Sequence, residues 1–275
     1  MVLHLGERPL VMGILNLTPD SFAETRSQLD PARAVAAALE MEAHGADLID
    51  VGGESTRPGA EPLSARDELA RVLPVFAGLV GRLRVPLSVD TYKADVALAA
   101  LEAGASLVND VSGLRYDPAL ARVVAERGAA VVLMHTRGRP KTMYSGAIYD
   151  DVVAEVGAEL KASVAFAQEA GVAVERILVD PGIGFAKRAE HSYGVLARLS
   201  ELAEALARPV VVGPSRKSFM RDALDARPAA ERDWGTAAAV TAAVLAGAHI
   251  VRVHAVNEMV QVVKVAEEIR RHNIP

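Results

Sequence analysis

The chain has 275 residues, 51% of them apolar, a formal net charge of −5 and no cysteine. This length suits one large α/β domain with a buried core. The negative balance excludes a general nucleic-acid binder, and the absence of thiols excludes disulfides, thiolate metal sites and cysteine nucleophiles, so any metal ligand must be oxygen or imidazole.

The start, "MVLHLGERPLVMGILNLT", places Glu7 and Arg8 where the apolar core of a signal peptide would lie, and no 18-residue apolar span occurs anywhere. A soluble cytoplasmic protein with no membrane partner is therefore expected. Short β-branched runs follow: "VMGILNLT" from 11, "DLIDVGG" from 47, "PLSVDT" from 86, "SLVNDVSG" from 106, "AAVVLMH" from 129, "RILVDPG" from 176, "PVVVGPS" from 209 and "HIVRVHAV" from 249. They recur roughly every 34 residues, the length of one βα unit. Between them, apolar residues at three- and four-residue spacing predict helices in "ARAVAAALEMEAHGA", "ARDELARVLPVFAGLVGRL" and "DVVAEVGAELKASVAFAQEAGV". No linker or low-complexity tract interrupts the pattern, so 1–275 reads as a single domain with a short N-terminal extension.

Eight alternations fit either an open doubly wound sheet or a closed (β/α)8 TIM barrel. A nucleotide-binding sheet would carry G-x-G-x-x-G after its first strand, and "GILNLTPD" does not. Instead every strand ends in its own polar cluster: Asn16, Asp50 to Arg57, Asp90, Asn109, His135, Asp180, Ser215 to Lys217, and Arg252 with His254. Polar strand ends on all sides are what a barrel active site requires.

Asp90, Asn109 and Asp180 each follow apolar strand residues. They either cap the next helix or point as acceptors into one cavity, where two carboxylates and an amide complement a planar ring with a guanidine-like N–H edge. Arg57, Lys217, Arg252 and His254 are candidate cations. Alternation puts Arg252 and His254 on one side of their strand, and with Arg57 opposite they would cradle a phosphate or diphosphate. Lys217 would donate to a ring carbonyl or form a Schiff base, with Arg216 lowering its pKa for the latter. Asn16 and Asp20 offer oxygen ligands for Mg2+ beside a diphosphate. Phe185 in "DPGIGF" either stacks on a flat substrate or simply packs.

In order along nearly the whole chain, "NLTPDSF", "DVGGESTRPG", "SVDT", "NDVSG", "LMH", "DPGIGF", "GPSRKSF" and "GTAAAVTAAVLAGAHIVRVH" resemble the dihydropteroate synthase family of folate biosynthesis. The resemblance implies a (β/α)8 enzyme, usually a homodimer. Such an enzyme joins 6-hydroxymethyl-7,8-dihydropterin diphosphate to 4-aminobenzoate with loss of diphosphate, assisted by Mg2+. It further implies a pterin site of Asp90, Asn109, Asp180 and Lys217, lined by Met134 and Gly213. Diphosphate would lie on Arg57, Arg252 and His254 with Asn16 near the metal, and aminobenzoate among Thr56, Arg57, Pro58, Phe185 and Ser218. Arg57, Lys217, Asp90 and Asp180 would carry catalysis. The chain departs from the family pattern at Ala23-Glu24-Thr25-Arg26, where Ser-Asp-Gly-Gly is common, and at Ala255, where Asp is usual.

The chemistry expected is a dissociative substitution at the exocyclic methylene, with Gly52 and Gly53 allowing a mobile loop to bring Thr56, Arg57 and Pro58 over the second substrate. The alternatives are a methyltetrahydrofolate-corrinoid methyltransferase of the same barrel type, a Schiff-base aldolase built on Lys217, and a non-catalytic pterin binder.

Overall fold

Eight strands pair in parallel: β1 (Leu10–Asn16), β2 (Leu48–Gly52), β3 (Leu87–Asp90), β4 (Leu107–Asp110), β5 (Ala130–Met134), β6 (Ile177–Asp180), β7 (Val211–Val212) and β8 (Ile250–Val253). This computed structural model describes residues 3–18, 30–57 and 59–272. Pairing runs β6-β5-β4-β3-β2-β1-β8-β7, and a parallel bridge between Val179 and Val210 joins the two ends into a barrel. The expected (β/α)8 fold is therefore present. β7 is the shortest strand because Pro209 before it and Pro214 after it bring no N–H to the ladder.

The helices among the described residues are α1 (Pro31–Ala43), α2 (Ala65–Leu79), α3 (Ala94–Glu102), α4 (Ala119–Arg127), α5 (Val152–Glu169), α6 (Ala189–Ala197), α7 (Leu199–Leu206), α8 (Asp233–Leu245) and α9 (Val256–His272). Helix starts follow local chemistry. Asp30 accepts from Ala32 N ahead of Pro31, Ser64 accepts from Asp67 N, and Asp151 accepts from Val153 N and Ala154 N. None of Asp90, Asn109 and Asp180 caps a helix: α3 begins after Lys93, α4 after Pro118 and α6 after Arg188. The capping alternative for these three is thereby removed.

Among the described residues two apolar clusters make the core. The larger fills the space between barrel and helices, with Phe76, Leu79, Leu160 and Leu199 among its members. The smaller plugs the barrel itself: Leu10, Met12, Leu48, Leu107, Val132, Leu178, Val211 and Ile250, with Leu3 and Leu5 of the N-terminal extension packed against it. Side chains of a strand alternate between faces. Two residues beyond the plug, the same inward face therefore reads Asp50, Asn109, Met134, Asp180, Gly213 and Arg252. The apolar plug thus forms the floor of a polar cavity at the C-terminal mouth.

Candidate active site

Pairing in the sheet sets the first geometry. Asp90 is the Cα partner of both Gly52 and Asn109, and Met134 is the partner of Asp180. Arg252 then crosses the barrel, its Nε donating to Asp50 Oδ2 at 2.6 Å and its Nη2 to Asp90 Oδ2 at 2.7 Å. Asn109 Nδ2 donates to the same Asp50 oxygen at 2.9 Å. Gly213 stands where three functional groups converge: a methyl group there would lie 3.9 Å from Asp180 Oδ2, 3.9 Å from Lys217 Nζ and 3.7 Å from Arg252 Cβ. A glycine leaves that space open as a flat slot.

Lys217 is half-buried at the slot and donates to Ile183 O at 2.6 Å, with its ammonium 4.5 Å from the centre of the Phe185 ring. Its pKa is lowered to about 8, first by burial, with Asp180 opposing and Arg252 adding to the shift. Arg216 does not contribute as expected from sequence. Its guanidinium is turned away and held in a two-pronged pair by Asp233, both bonds 2.7 Å, which ties this loop to the start of α8. Burial likewise raises the Asp180 pKa, against Lys217 and the N–H of Gly182. It pushes Asp90 up to about 7, with Arg252 opposing and Asp50 adding.

The turn after β6 depends on a glycine. Gly182 has φ +69°, and a Cβ there would stand 1.9 Å from His135 O, so no other residue fits. This close approach presses the turn against the end of β5 and sends the chain outward toward Phe185.

His254 lies one residue beyond β8. Its Nδ1 meets Ser215 Oγ at 2.9 Å, its Nε2 lies 3.5 Å from Asn16 Nδ2, and its own N–H donates to Ser215 Oγ at 3.2 Å. Burial and then Arg252, Arg216 and Arg57 push its pKa down to about 3. His254 is thus a neutral imidazole in the free protein, and the cation expected from sequence is corrected. Arg57 is exposed at the rim, and its charge acts on His254. The groups left to meet an anion at this mouth are Arg252, whose Nη1 has no partner among the described residues, Arg57 and the neutral His254 ring.

Thr56 and Phe185 line one small cavity together with Tyr92, Val111, Tyr116, Thr136, Pro140 and Met143. Ser218 is exposed nearby, with Tyr144 Oη 3.5 Å from its hydroxyl. Pro58, Asp20 and Glu24 fall outside the described residues. Gly52 and Gly53 stand at the base of the loop that carries Thr56 and Arg57. Both are buried, and a Cβ on Gly53 would meet Glu68 Cγ at 2.9 Å and Val72 Cγ1 at 3.0 Å. Close packing of α2 requires the glycine, and the loop base is further pinned because Lys93 pairs with both Glu54 and Glu68 while Arg71 donates to Gly53 O at 2.8 Å.

Asp50, wholly buried, is the residue whose role the sequence pattern understates. It bridges Asn109 and Arg252, and its Oδ1 has no partner among the described residues. The signal was the same as for Asp180, a carboxylate two residues past an inward apolar position of a strand. A separate cavity of about 300 Å³ at the opposite end of the barrel is lined by Leu3, His4, Arg8, Asp47 and Arg84, and none of the site residues reaches it.

A (β/α)8 barrel with a carboxylate-lined slot at its C-terminal mouth defines a binder of flat, N–H-rich rings, and residues 12–254 match the family model described as pterin binding enzyme. The chain is 46% identical over 266 residues to dihydropteroate synthase of Synechocystis, covering 97% of this chain and 92% of that one. Two solved structures are similar. One is dihydropteroate synthase from Clostridium difficile in the presence of pteroic acid (TM-score 0.91, 40% identity, covering 98% of this chain and 99% of that one). The other is the Xanthomonas albilineans enzyme with 4-aminobenzoic acid (TM-score 0.90, 41% identity, 98% and 95%). The chain belongs to the dihydropteroate synthase family of pterin-binding enzymes.

Proposed function

We propose that this chain condenses 6-hydroxymethyl-7,8-dihydropterin diphosphate with 4-aminobenzoate to give 7,8-dihydropteroate and diphosphate. One observation carries the reading: the slot bounded by Asp180, Lys217, Gly213 and Arg252 adjoins both a rim of cationic Arg57 and neutral His254 and an apolar cavity at Thr56 and Phe185. A corrinoid methyltransferase needs neither of the two neighbouring compartments.

In this reading Asp180 and Asp90 accept the N–H edge of the pterin, Asn109 supplies an amide, and Lys217 donates to the ring carbonyl, with Met134 packed below. The bond between the exocyclic methylene and the diphosphate oxygen breaks first, and its electron pair leaves with the diphosphate. Arg252, Arg57 and His254 stabilise that developing charge from fixed positions. The remaining cationic pterin is steadied by the two carboxylates. The aniline nitrogen of aminobenzoate, oriented by Thr56, Pro58, Phe185 and Ser218, forms the new C–N bond and then loses its proton to solvent.

Asn16 ends β1 beside His254, and among the described residues no group of three His, Cys, Asp or Glu is placed to hold a metal. A single amide oxygen fits Mg2+, which keeps most of its waters and takes phosphate oxygens. When bound there, Mg2+ supplies charge neutralisation to the diphosphate. The protein is further proposed to act in the cytoplasm, consistent with the lack of any membrane-length apolar helix among the described residues, and as a homodimer. Trp234 and Leu245 on α8, with Val265 and Ile269 on α9, offer exposed apolar surface for such a contact.

The test is an assay of aminobenzoate-dependent diphosphate release. Arg57→Ala and Lys217→Ala are each expected to reduce kcat/KM by about a hundredfold, the loss of one charged contact made in the transition state. A protein that bound pterin and released no diphosphate would be a binder only. The dissociative order predicts some diphosphate release in a single turnover without aminobenzoate, and complete dependence on aminobenzoate would sink it.

His254 gives an independent check. Since its pKa is held near 3 in the free protein, its ring should remain neutral from pH 8 down to about pH 5 in an NMR titration. Saturation with inorganic diphosphate should move the titration upward, because an anion favours the imidazolium. An ordinary titration in the free protein, or no shift with diphosphate, would remove His254 from the cradle.

A further inference from the structure

Lys187 is only 1% exposed, and the reaction outlined above does not use it. Its Nζ reaches three acceptors: His135 Nδ1 at 2.8 Å, Gly182 O at 3.2 Å and Phe185 O at 3.1 Å. Burial pushes the Lys187 pKa well below the ordinary lysine value, with Asp180 opposing, yet three acceptors and no donor face Nζ, the set that matches the three N–H donors of an ammonium.

The direction of the histidine contact follows from the next group along. His135 Nε2 lies 3.1 Å from Glu159 Oε2. Glu159 is held ionised, its pKa lowered to about 2 by the bond to His135 and, against desolvation, by Arg137. Burial keeps His135 neutral, with a pKa lowered to about 4. A carboxylate only accepts, so Nε2 carries the hydrogen and Nδ1 presents its lone pair to Lys187. Arg137 extends the network, donating from Nε to Glu159 at 2.8 Å and from Nη1 to Ile148 O at 2.7 Å across the loop between β5 and α5.

The carbonyls that Lys187 holds belong to the turn that carries Phe185. Lys217 binds the intervening carbonyl, that of Ile183, at 2.6 Å from the slot side. The turn is therefore gripped by two ammonium groups, one beneath it and one inside the site. We propose that Lys187, oriented by His135 and Glu159, is a positioning residue that fixes the Phe185 ring as one wall of the aminobenzoate site. This rests on reading Phe185 as a second-substrate contact. Lys187 hydrogen-bonds none of the strand residues Asp90, Asn109 and Asp180, and it reaches the pterin slot only through its charge on Asp180 and through the Ile183 carbonyl shared with Lys217, so loss of Lys187 should fall mainly on the second substrate.

Lys187→Met keeps the apolar stem and removes the donors. It is expected to raise KM for 4-aminobenzoate about tenfold, the loss of a charged hydrogen bond, with KM for dihydropterin diphosphate within about twofold of wild type. Phe185→Leu should also raise the aminobenzoate KM, and adding Lys187→Met to it should change KM by no more than about twofold if the lysine acts through that ring. An unchanged KM in Phe185→Leu would overturn the reading of Phe185. A raised KM in Phe185→Leu would overturn the role of Lys187 if Lys187→Met left KM unchanged, raised both KM values alike, or multiplied with the Phe185 effect.

Should Lys187→Met fail to fold, Glu159→Gln carries the test from a partly exposed position. Its amide can turn its NH2 toward Nε2, releasing His135 to the tautomer whose Nδ1–H opposes Lys187. A rise of about threefold in the aminobenzoate KM alone is expected, and no rise would overturn the proposal.

Discussion

Asp180→Asn is expected to lower kcat/KM for the pterin substrate by about a thousandfold, with the fold intact. The side chain closes β6, is almost fully buried and accepts the Gly182 N–H through Oδ1 at 2.7 Å. An amide oxygen can keep that turn bond, so the backbone has no reason to move. The other oxygen faces the slot, 3.9 Å from a methyl position on Gly213, and there the substitution puts N–H against the N–H edge of the ring. Losing one charge-assisted hydrogen bond, about 1.5–3 kcal/mol, and leaving N–H against N–H unsatisfied, about 1–3 kcal/mol more, gives about 4 kcal/mol, or roughly three decades in rate. Lys217 would lose the carboxylate that opposes the downward pull of burial, so its pKa would fall further from about 8. Steady-state kinetics, calorimetric titration with the pterin and a thermal melt together check the result. A loss below tenfold, or a matching loss of Tm, would remove the Asp180 carboxylate contact from the account.

The barrel was legible because its signal is repetitive: eight β-branched runs, each followed by polar residues, specify strand ends without reference to any one of them. The inward placement of Asp90, Asn109, Asp180 and Arg252 was legible for a similar reason, since period-two alternation links each to an apolar or small residue of the floor. Pairing between those side chains was not. Arg252 looks from sequence like a free cation, and only the register of β8 against β1, and of β1 against β2, brings it to Asp50. His254 looks cationic because burial among three arginines is a property of space, not of the string "RVH". Gly53 looks like a hinge, and the crowding by Glu68 and Val72 from α2 that explains it involves residues fifteen and more positions away. Lys187 carried no signal at all, because its partners come from the ends of β5 and β6 and from a turn that folds back over it.

Arg252→Met is expected to destabilise the protein by about 3–5 kcal/mol at pH 8, the cost of leaving buried charge unpaired. In the intact protein the guanidinium is shared between Asp50 and Asp90, and the pKa of Asp90 is already raised to about 7 by burial, with Asp50 adding to it. Without the arginine, two carboxylates would face each other at the floor of the slot with only Asn109 to donate. Asp90 would then bind its proton still more readily in the folded state than in the unfolded one. Stability of such a group is highest below its unfolded pKa, near 4, and is lost as pH rises through the raised folded pKa, so the deficit relative to wild type should be larger at pH 8 than at pH 5.5. Urea unfolding at the two pH values measures this directly. Adding Asp50→Asn should recover part of the loss at pH 8 by removing one of the opposed charges, whereas Arg252→Lys should restore charge without the two-pronged fork and recover stability better than turnover. A deficit equal at both pH values would mean that packing, not charge, is what Arg252 contributes.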